Sequence, residues 1–388
     1  MSPITTRRGT RIALGAAAAA AALFLAGCST VGSASTPSAS SGDSALASKI
    51  AKLEKLPSSY PIPSGTISDV SSLRGKTVYY VPITQQSPQF GVTQVALKAA
   101  LGKLGMTLQV CNGNATPTGI SQCVTQATSA KAAAIITDAI PYQEASNAFA
   151  AAQKAGITVL NTDQIVDPDA PASKTLGYIE AAGTSQMKAV ADWIAYDSNG
   201  KGSVVINEST DSPASVAFVT AAQKEFKKVC SGCSVTINKV SSANFSLIAS
   251  STSSALVKTP GVGYVVSEFD QYLQPTLGGV QQAGKTASVK GVSGAAQLSG
   301  LQMLSNKNFL YASVGQASAY QGWADADAVA RMLTGTSGAD LPEYTIPIRL
   351  FTRNNVGDVT LTNDAQASGE WFGPKDYTDS FLKLWGVS

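Results

Sequence analysis

The chain has 388 residues, 44% of them hydrophobic and 14% charged, with no histidine and a formal charge of +3. The lack of histidine removes the usual Ser/His or Cys/His nucleophile pairing and the commonest metal ligand, and no basic run or aromatic-basic stripe supplies the electrostatic footprint that nucleic-acid binding needs. The surplus cations Arg7, Arg8 and Arg11 all precede residue 28, so the remainder carries 28 − 3 = 25 basic residues against 25 acidic ones.

In chain order, those arginines come first, and Ile12 to Gly27 follow as an apolar run of 16 residues closing on Leu25-Ala26-Gly27. That pattern reads as a secretory signal over residues 1–27. The run is shorter than the ~20 apolar residues that span a bilayer. "LAGC" resembles the lipobox of bacterial lipoproteins, which implies that Cys28 becomes a lipid-bearing N-terminus. Several acyl chains there would anchor the protein without a spanning helix. An ordinary signal peptide with an incidental cysteine is the alternative. Ser29 to Ala47 is poor in residues that can build a core, so 28–72 is expected as an anchored N-terminus and flexible linker. About 310 residues remain, more than one core usually accommodates.

The body then alternates. "KTVYYVPI" is a β-branched and aromatic run, and "VTQVALKAALGKLG" has apolar residues at helical spacing. "MTLQVC", "AAAIITDA" and "ITVLNTD" are further strands, separated by the helical segments "PTGISQCVTQATSA" and "PYQEASNAFAAAQKAG". After "SKTLGYIEAAG" the alternation resumes with strands "SVVIN", "SVTINKV", "GVGYVVSE", "ASVKGVSG" and "FLYASVGQ" between amphipathic helices. Short apolar strands alternating with helices predict an α/β fold of two wound parallel sheets. The late helix "SAYQGWADADAVARMLTG" and strand "EYTIPIRLF" follow a second lobe that is already complete, and are expected to return toward the first lobe and the hinge.

Four cysteines lie in this body. An even number outside the cytoplasm reads first as disulfides, here Cys111 with Cys123 and Cys230 with Cys233. Cys230-x-x-Cys233 could be a redox pair, but its first cysteine ends a helix instead of opening one. A four-thiolate zinc site is the third reading, and the Cys111–Cys123 spacing does not match a zinc knuckle. No cofactor and no metal are expected.

The order of elements, with "KLGMTLQV", "AQKAGITVLNTD", "GYVVSEFD", "GVSG", the "VGQ" strand end and "AVARMLTG", resembles the sugar-type (type I) periplasmic solute-binding proteins of ABC importers, the ribose and galactose binders, over about Leu73 to Phe351. The resemblance implies two Rossmann-like lobes joined by three hinge crossings, near Gly177, Gln316 and Pro342, with ligand between them. It divides the chain into an N-terminal lobe of 73–177 plus 317–342 and a C-terminal lobe of 178–316 plus 343–388 with the tail. It also implies a monomeric receptor on the outer face of the bacterial membrane, serving a permease and ATPase. A sensor module of the same fold, signalling to a membrane kinase or chemoreceptor, is the alternative. An enzyme is not expected. A glycosidase using Glu208 and Asp270 would need two carboxylates roughly 5–9.5 Å apart.

In open parallel sheets the ligand lies outside the carboxyl ends of the strands. Those positions hold Gln85, Gln86, Ser87, Gln89 and Phe90, then Asp138, Asp163 and Gln164 in the first lobe. In the second they hold Glu208, Asp211, Asn244, Phe245, Glu268, Phe269, Asp270 and Ser293, and Gln316 follows. Glu208, Asp211 and Asp270 could instead cap the helices after them, and Phe245 and Phe269 could be packing residues. Where sugar binders of this type carry Asp-Arg after the fourth strand the chain has Asp163-Gln164, where they carry another arginine it has "SPASVAFV", and Ser293 stands where they often have Asp. Without those bidentate guanidiniums, a neutral polyol, a modified sugar or a small cationic solute fits better than a plain pentose or hexose, and an anion fits least.

Overall fold

The computed structural model describes residues 41–336 and 340–387. The signal segment and Cys28 lie outside the described residues.

The first sheet has the order β2-β1-β3-β4-β5, built from β1 (Thr77–Pro82), β2 (Thr107–Val110), β3 (Ala134–Asp138), β4 (Thr158–Gln164) and β5 (Leu176–Glu180). Every pairing in it is parallel. Side chains alternate between two cores: Val78 and Tyr80 enter one, Tyr79 and Val81 the other. That is the period of two of a strand covered on both faces. The edge strand β2 departs from the expected apolar run, with Thr107, Gln109 and Val110 only partly covered or exposed. The helices α2 (Pro88–Lys103), α3 (Pro117–Ser129) and α4 (Ser146–Lys154) flank the sheet. Gly105 follows α2 at φ 74, the left-handed turn that a glycine makes without Cβ strain.

The second sheet has the order β11-β10-β9-β8-β6-β7, from β6 (Ser203–Ser209), β7 (Ser234–Val240), β8 (Tyr264–Ser267), β9 (Lys290–Gly294), β10 (Leu310–Gln316) and β11 (Ile348–Thr352). Only β11, the late strand, runs antiparallel, and it joins the second sheet's edge instead of returning to the first lobe. Helices α5 (Gly183–Asp197), α6 (Pro213–Val229), α7 (Ile248–Lys258), α8 (Leu273–Gln282) and α9 (Leu298–Ser305) cover it. α10 (Ser318–Thr334) goes back to the first lobe, packing on α2 and against β3, β4 and β5. The chain passes between the lobes after β5, after β10 and between α10 and β11. Cys111 is bonded to Cys123 and Cys230 to Cys233.

Two expectations are corrected at the chain ends. Within the supposed flexible linker, α1 (Ser41–Glu54) packs on α5 and β11, and Tyr60 and Ile67 are buried. Ile50 and Lys49 do what composition did not reveal: Ile50 fills the second-lobe core and Lys49 neutralises the buried Asp192 at 2.5 Å. At the other end, the tail assigned to the C-terminal lobe divides. α11 (Asn363–Ser368) reaches α2, and α12 (Tyr377–Trp385) packs on α10 of the first lobe. Trp385 stacks on Trp323 at 5.4 Å and donates its indole N–H to Asp327 at 2.8 Å. The amphipathic tail helix follows the apolar face that α10 still exposes.

Candidate ligand-binding site

The first-lobe site begins at two strand ends. Pro88 opens α2 and Ser87 sits at its N-cap, yet the Ser87 hydroxyl does not bond its own helix. It accepts from Gln297 Nε2 of the second lobe at 2.8 Å. At the end of β4 the register jumps from Thr162 to Gln164, leaving Asp163 as the extra residue at φ 56. A bulge re-aims the side chain it carries, and a non-glycine residue held at positive φ stores strain that the surroundings must sustain. The Asp163 carboxylate accepts from Gln89 Nε2 at 2.9 Å and from Gln316 Nε2, at the end of β10, at 3.5 Å. Burial pushes its pKa up to about 6, with the Gln316 and Gln89 amides opposing.

Behind it lies a buried acidic layer. Asp138 accepts from the Tyr80 hydroxyl at 2.6 Å, while its other oxygen has no hydrogen-bond partner among the described residues. Asp325, on α10, is fully buried, and neither oxygen has a hydrogen-bond partner among the described residues. Burial first, and then the neighbouring carboxylates, hold both well above the usual carboxylate range. Gln321 ties this layer together, accepting from Gln316 at 2.9 Å and reaching Thr162 at 3.5 Å. Among the described residues, the ion pairs involve Lys49, Lys228, Lys290 and Arg331, and none reaches these carboxylates.

The second lobe spends several of its predicted residues on its own backbone. Asp211 accepts the Ser242 N–H with both oxygens, at 3.1 and 3.0 Å, and the Tyr272 hydroxyl at 2.8 Å. Burial alone would raise its pKa, but the bonds from Ser242, Ser241 and Tyr272 outweigh it and hold the group below its ordinary value. Ser212, not Asp211 or Glu208, caps α6. Glu208 is buried in β6 opposite Lys239. Glu268 accepts the Ser209 N–H at 2.7 Å. Asp270 does not cap its own helix; it accepts the Gln297 N–H at 2.6 Å and so fixes the turn from β9 into α9. Burial takes Asp270 up to about 7, against hydrogen bonds from Ser293, Gln297 and Ser313. Ser293 donates to Ser313 at 2.8 Å.

Phe245 and Phe269 flank Tyr272, with ring centroids 6.3 and 6.2 Å from it. Phe245 is 46% exposed, an apolar face open to contact. Phe90, by contrast, is buried at the start of α2, and Gln164 is buried at the end of β4. Gln86 and Asn244 are exposed. Gln85 is exposed as well and bonds Gln94.

The structure therefore gathers Ser87, Gln89, Asp163 and Gln316, with Asp138 behind them. Gln297, Tyr80, Gln321, Asp325 and Tyr272 escaped the sequence reading. Gln297 stands one position before α9, so extending the strand-end rule to the next helix start finds it. Asp325 sits mid-helix in "ADADAVA" and carries no strand-end signal. The lobes face one another closely enough for Asp211 of the second to raise Glu144 of the first, after burial has done so. At their junction is a cavity of ≈ 20 Å³ lined by Gln89, Gln297, Gln316, Gln366 and Trp371 among others. That is room for about one water, so a monosaccharide enters there only as the lobes part.

Two wound sheets meeting at a polar cleft, with the chain crossing back and forth beside it, define a two-lobed solute receptor. The periplasmic binding protein domain matches residues 78–337, and the chain belongs to that family, whose members bind solutes and are not enzymes. No curated protein matches the chain in sequence. Among solved structures it is similar to the 5-methylthioribose transporter solute-binding protein from Thermotoga lettingae, at 19% identity and TM-score 0.63, covering 85% of this chain and 99% of that one. It is similar also to an ABC transporter solute-binding protein from Agrobacterium vitis bound with α-D-tagatopyranose, at 18% identity and TM-score 0.64, covering 74% and 97%. A third, from Mycobacterium smegmatis with bound glycerol, has 16% identity and TM-score 0.61, covering 73% and 96%.

Proposed function

We propose that the protein is the receptor of an ABC importer for a small hydroxyl-rich solute, lipid-anchored through Cys28 and delivering its ligand to a membrane permease. The observation that carries this reading is Asp163, held on a strained bulge between Gln89 and Gln316 while Ser87 and Gln297 join the lobes beside it. Amide and carboxylate groups so arranged pair with vicinal hydroxyls, each supplying the donor or acceptor that the other lacks. A ligand touching both lobes favours the closed arrangement by the contacts that only closure provides. Among the described residues the cleft carboxylates have no Lys or Arg ion-pair partner, so neutral or cationic solutes are favoured over anionic ones. The sugar and polyol ligands of the structural relatives are of this kind.

The test is a thermal-shift screen of the chain from residue 29 against pentoses, hexoses, methylthio- and amino-sugars, polyols and sugar phosphates. Ligands that bind only the folded state raise the melting temperature. One narrow class of neutral or cationic solutes should do so. A response confined to sugar phosphates, or none at all, overturns the proposal.

A further inference from the structure

The segment between residues 41 and 67 grips both lobes. On the second lobe, Lys49 meets Asp192 at 2.5 Å and Glu225 at 3.4 Å, and Ile50 is buried in the core. The end of α1 is held by β11 and the turn after it: Arg349 Nε and Asn355 Nδ2 donate to the Glu54 carbonyl at 3.2 and 3.0 Å, and the Thr352 hydroxyl donates to its carboxylate at 2.5 Å. On the first lobe, Tyr60 stacks on Tyr320 of α10 at 5.2 Å and meets Tyr377 of α12 edge-on at 4.6 Å. Tyr320 donates to the Pro61 carbonyl, Arg331 donates to the Gly65 carbonyl at 2.7 Å, and Ile67 N–H bonds the Leu384 carbonyl at 3.1 Å. Residues 55–59 alone separate the two grips.

Both grips lie beside the hinge. Tyr320 comes three residues after Ala317, whose N–H bonds the Pro347 carbonyl where two of the crossings meet, and Arg349 follows two residues after Pro347. Asp192 is fully buried, and Lys49 is its ion-pair partner among the described residues. Removing one member of such a pair leaves an uncompensated buried charge, so α1 is part of the second lobe and not a detachable leash.

We propose that residues 41–67 form a hinge belt that clasps the two lobes and biases them toward the near-closed arrangement seen here, so that the N-terminal tether enters the molecule at its moving joint. Opening must then stretch or release one grip, and the belt sets the resting balance between open and closed forms. This inference stands apart from the identity of the ligand.

The test is a spin-label distance measurement between Val95→Cys on α2 and Val257→Cys on α7, both exposed, in the chain from residue 29 without ligand. Two belt variants are compared with the intact chain. The triple substitution Lys49→Ala, Asp192→Asn and Tyr60→Ala loosens both grips without stranding a buried carboxylate, and a second chain begins at residue 68. Both should shift the interlobe distances to longer, broader distributions, the second more than the first. Distributions that superimpose on the intact chain in the triple variant, with its circular dichroism unchanged, overturn the proposal even if the shortened chain fails to fold.

Discussion

Asp163 shows how one residue's backbone and side chain share a task. The bulge at the end of β4 turns it out of the ladder, and two amides from different elements receive it. A hydrogen bond to a charged group is worth about 1.5–3 kcal/mol, so Asp163→Asn should weaken binding of the cognate solute roughly 10- to 100-fold by calorimetric titration, with little loss of melting temperature. Equal affinity in the variant would remove Asp163 from the site. A second residue-level expectation concerns pH. Carboxyls ionise near pH 4 in an unfolded chain, whereas burial raises Asp163 to about 6 and Asp270 to about 7 in the folded one. Between those values the native state binds more protons than the unfolded state, so stability falls as pH rises from about 4 to about 7, and the penalty is complete above that window. The melting temperature should therefore be higher near pH 5 than near pH 7.5, and Asp270→Asn should flatten that slope; an unaltered slope would assign it to other groups. Asp138 and Asp163 were visible as polar residues closing apolar strands. Asp325 was not, because a helix interior gives a lone carboxylate no positional signature.

At the scale of elements, the strands and the helices between them were legible because both periodicities are strong and glycines punctuate them. The chain ends were not. α1 is rich in serine and alanine, and its stability comes from packing Ile50 into the second-lobe core and pairing Lys49 with the sequence-distant Asp192. The tail helix α12 reads as amphipathic, but nothing local says which lobe receives it. Its packing makes a prediction: Trp385→Ala removes a buried indole stacked on Trp323 and bonded to Asp327, which should cost about 3–5 kcal/mol in denaturant unfolding. A loss below 1 kcal/mol would mean that α12 is not anchored there. The Cys111–Cys123 bridge spans a sequence separation of 12. By loop-closure entropy, replacing both cysteines with serine should lower stability by about 3 kcal/mol, read from the same unfolding curves, and a neutral result would argue against the bond contributing.

For the whole molecule, the relation between the lobes decides function. Ser87 and Gln297 touch across the junction and leave a cavity of ≈ 20 Å³, so the proposed capture of a solute there calls for a wider form in exchange with this one. Small-angle scattering should show the radius of gyration decrease when the cognate solute is added, and scattering curves that do not change would mean that binding and closure are uncoupled. The chain's own order of residues determined the two α/β lobes, the polar character of the strand ends and the absence of histidine chemistry, because these depend on local periodicity and composition. Only the tertiary structure decided which polar residues meet, that Asp211 and Asp270 serve the backbone, that residues 41–67 bind both lobes, and that α12 packs on the first. Such choices rest on contacts between residues far apart in sequence, where burial and hydrogen-bond geometry, and not local propensity, select the partner.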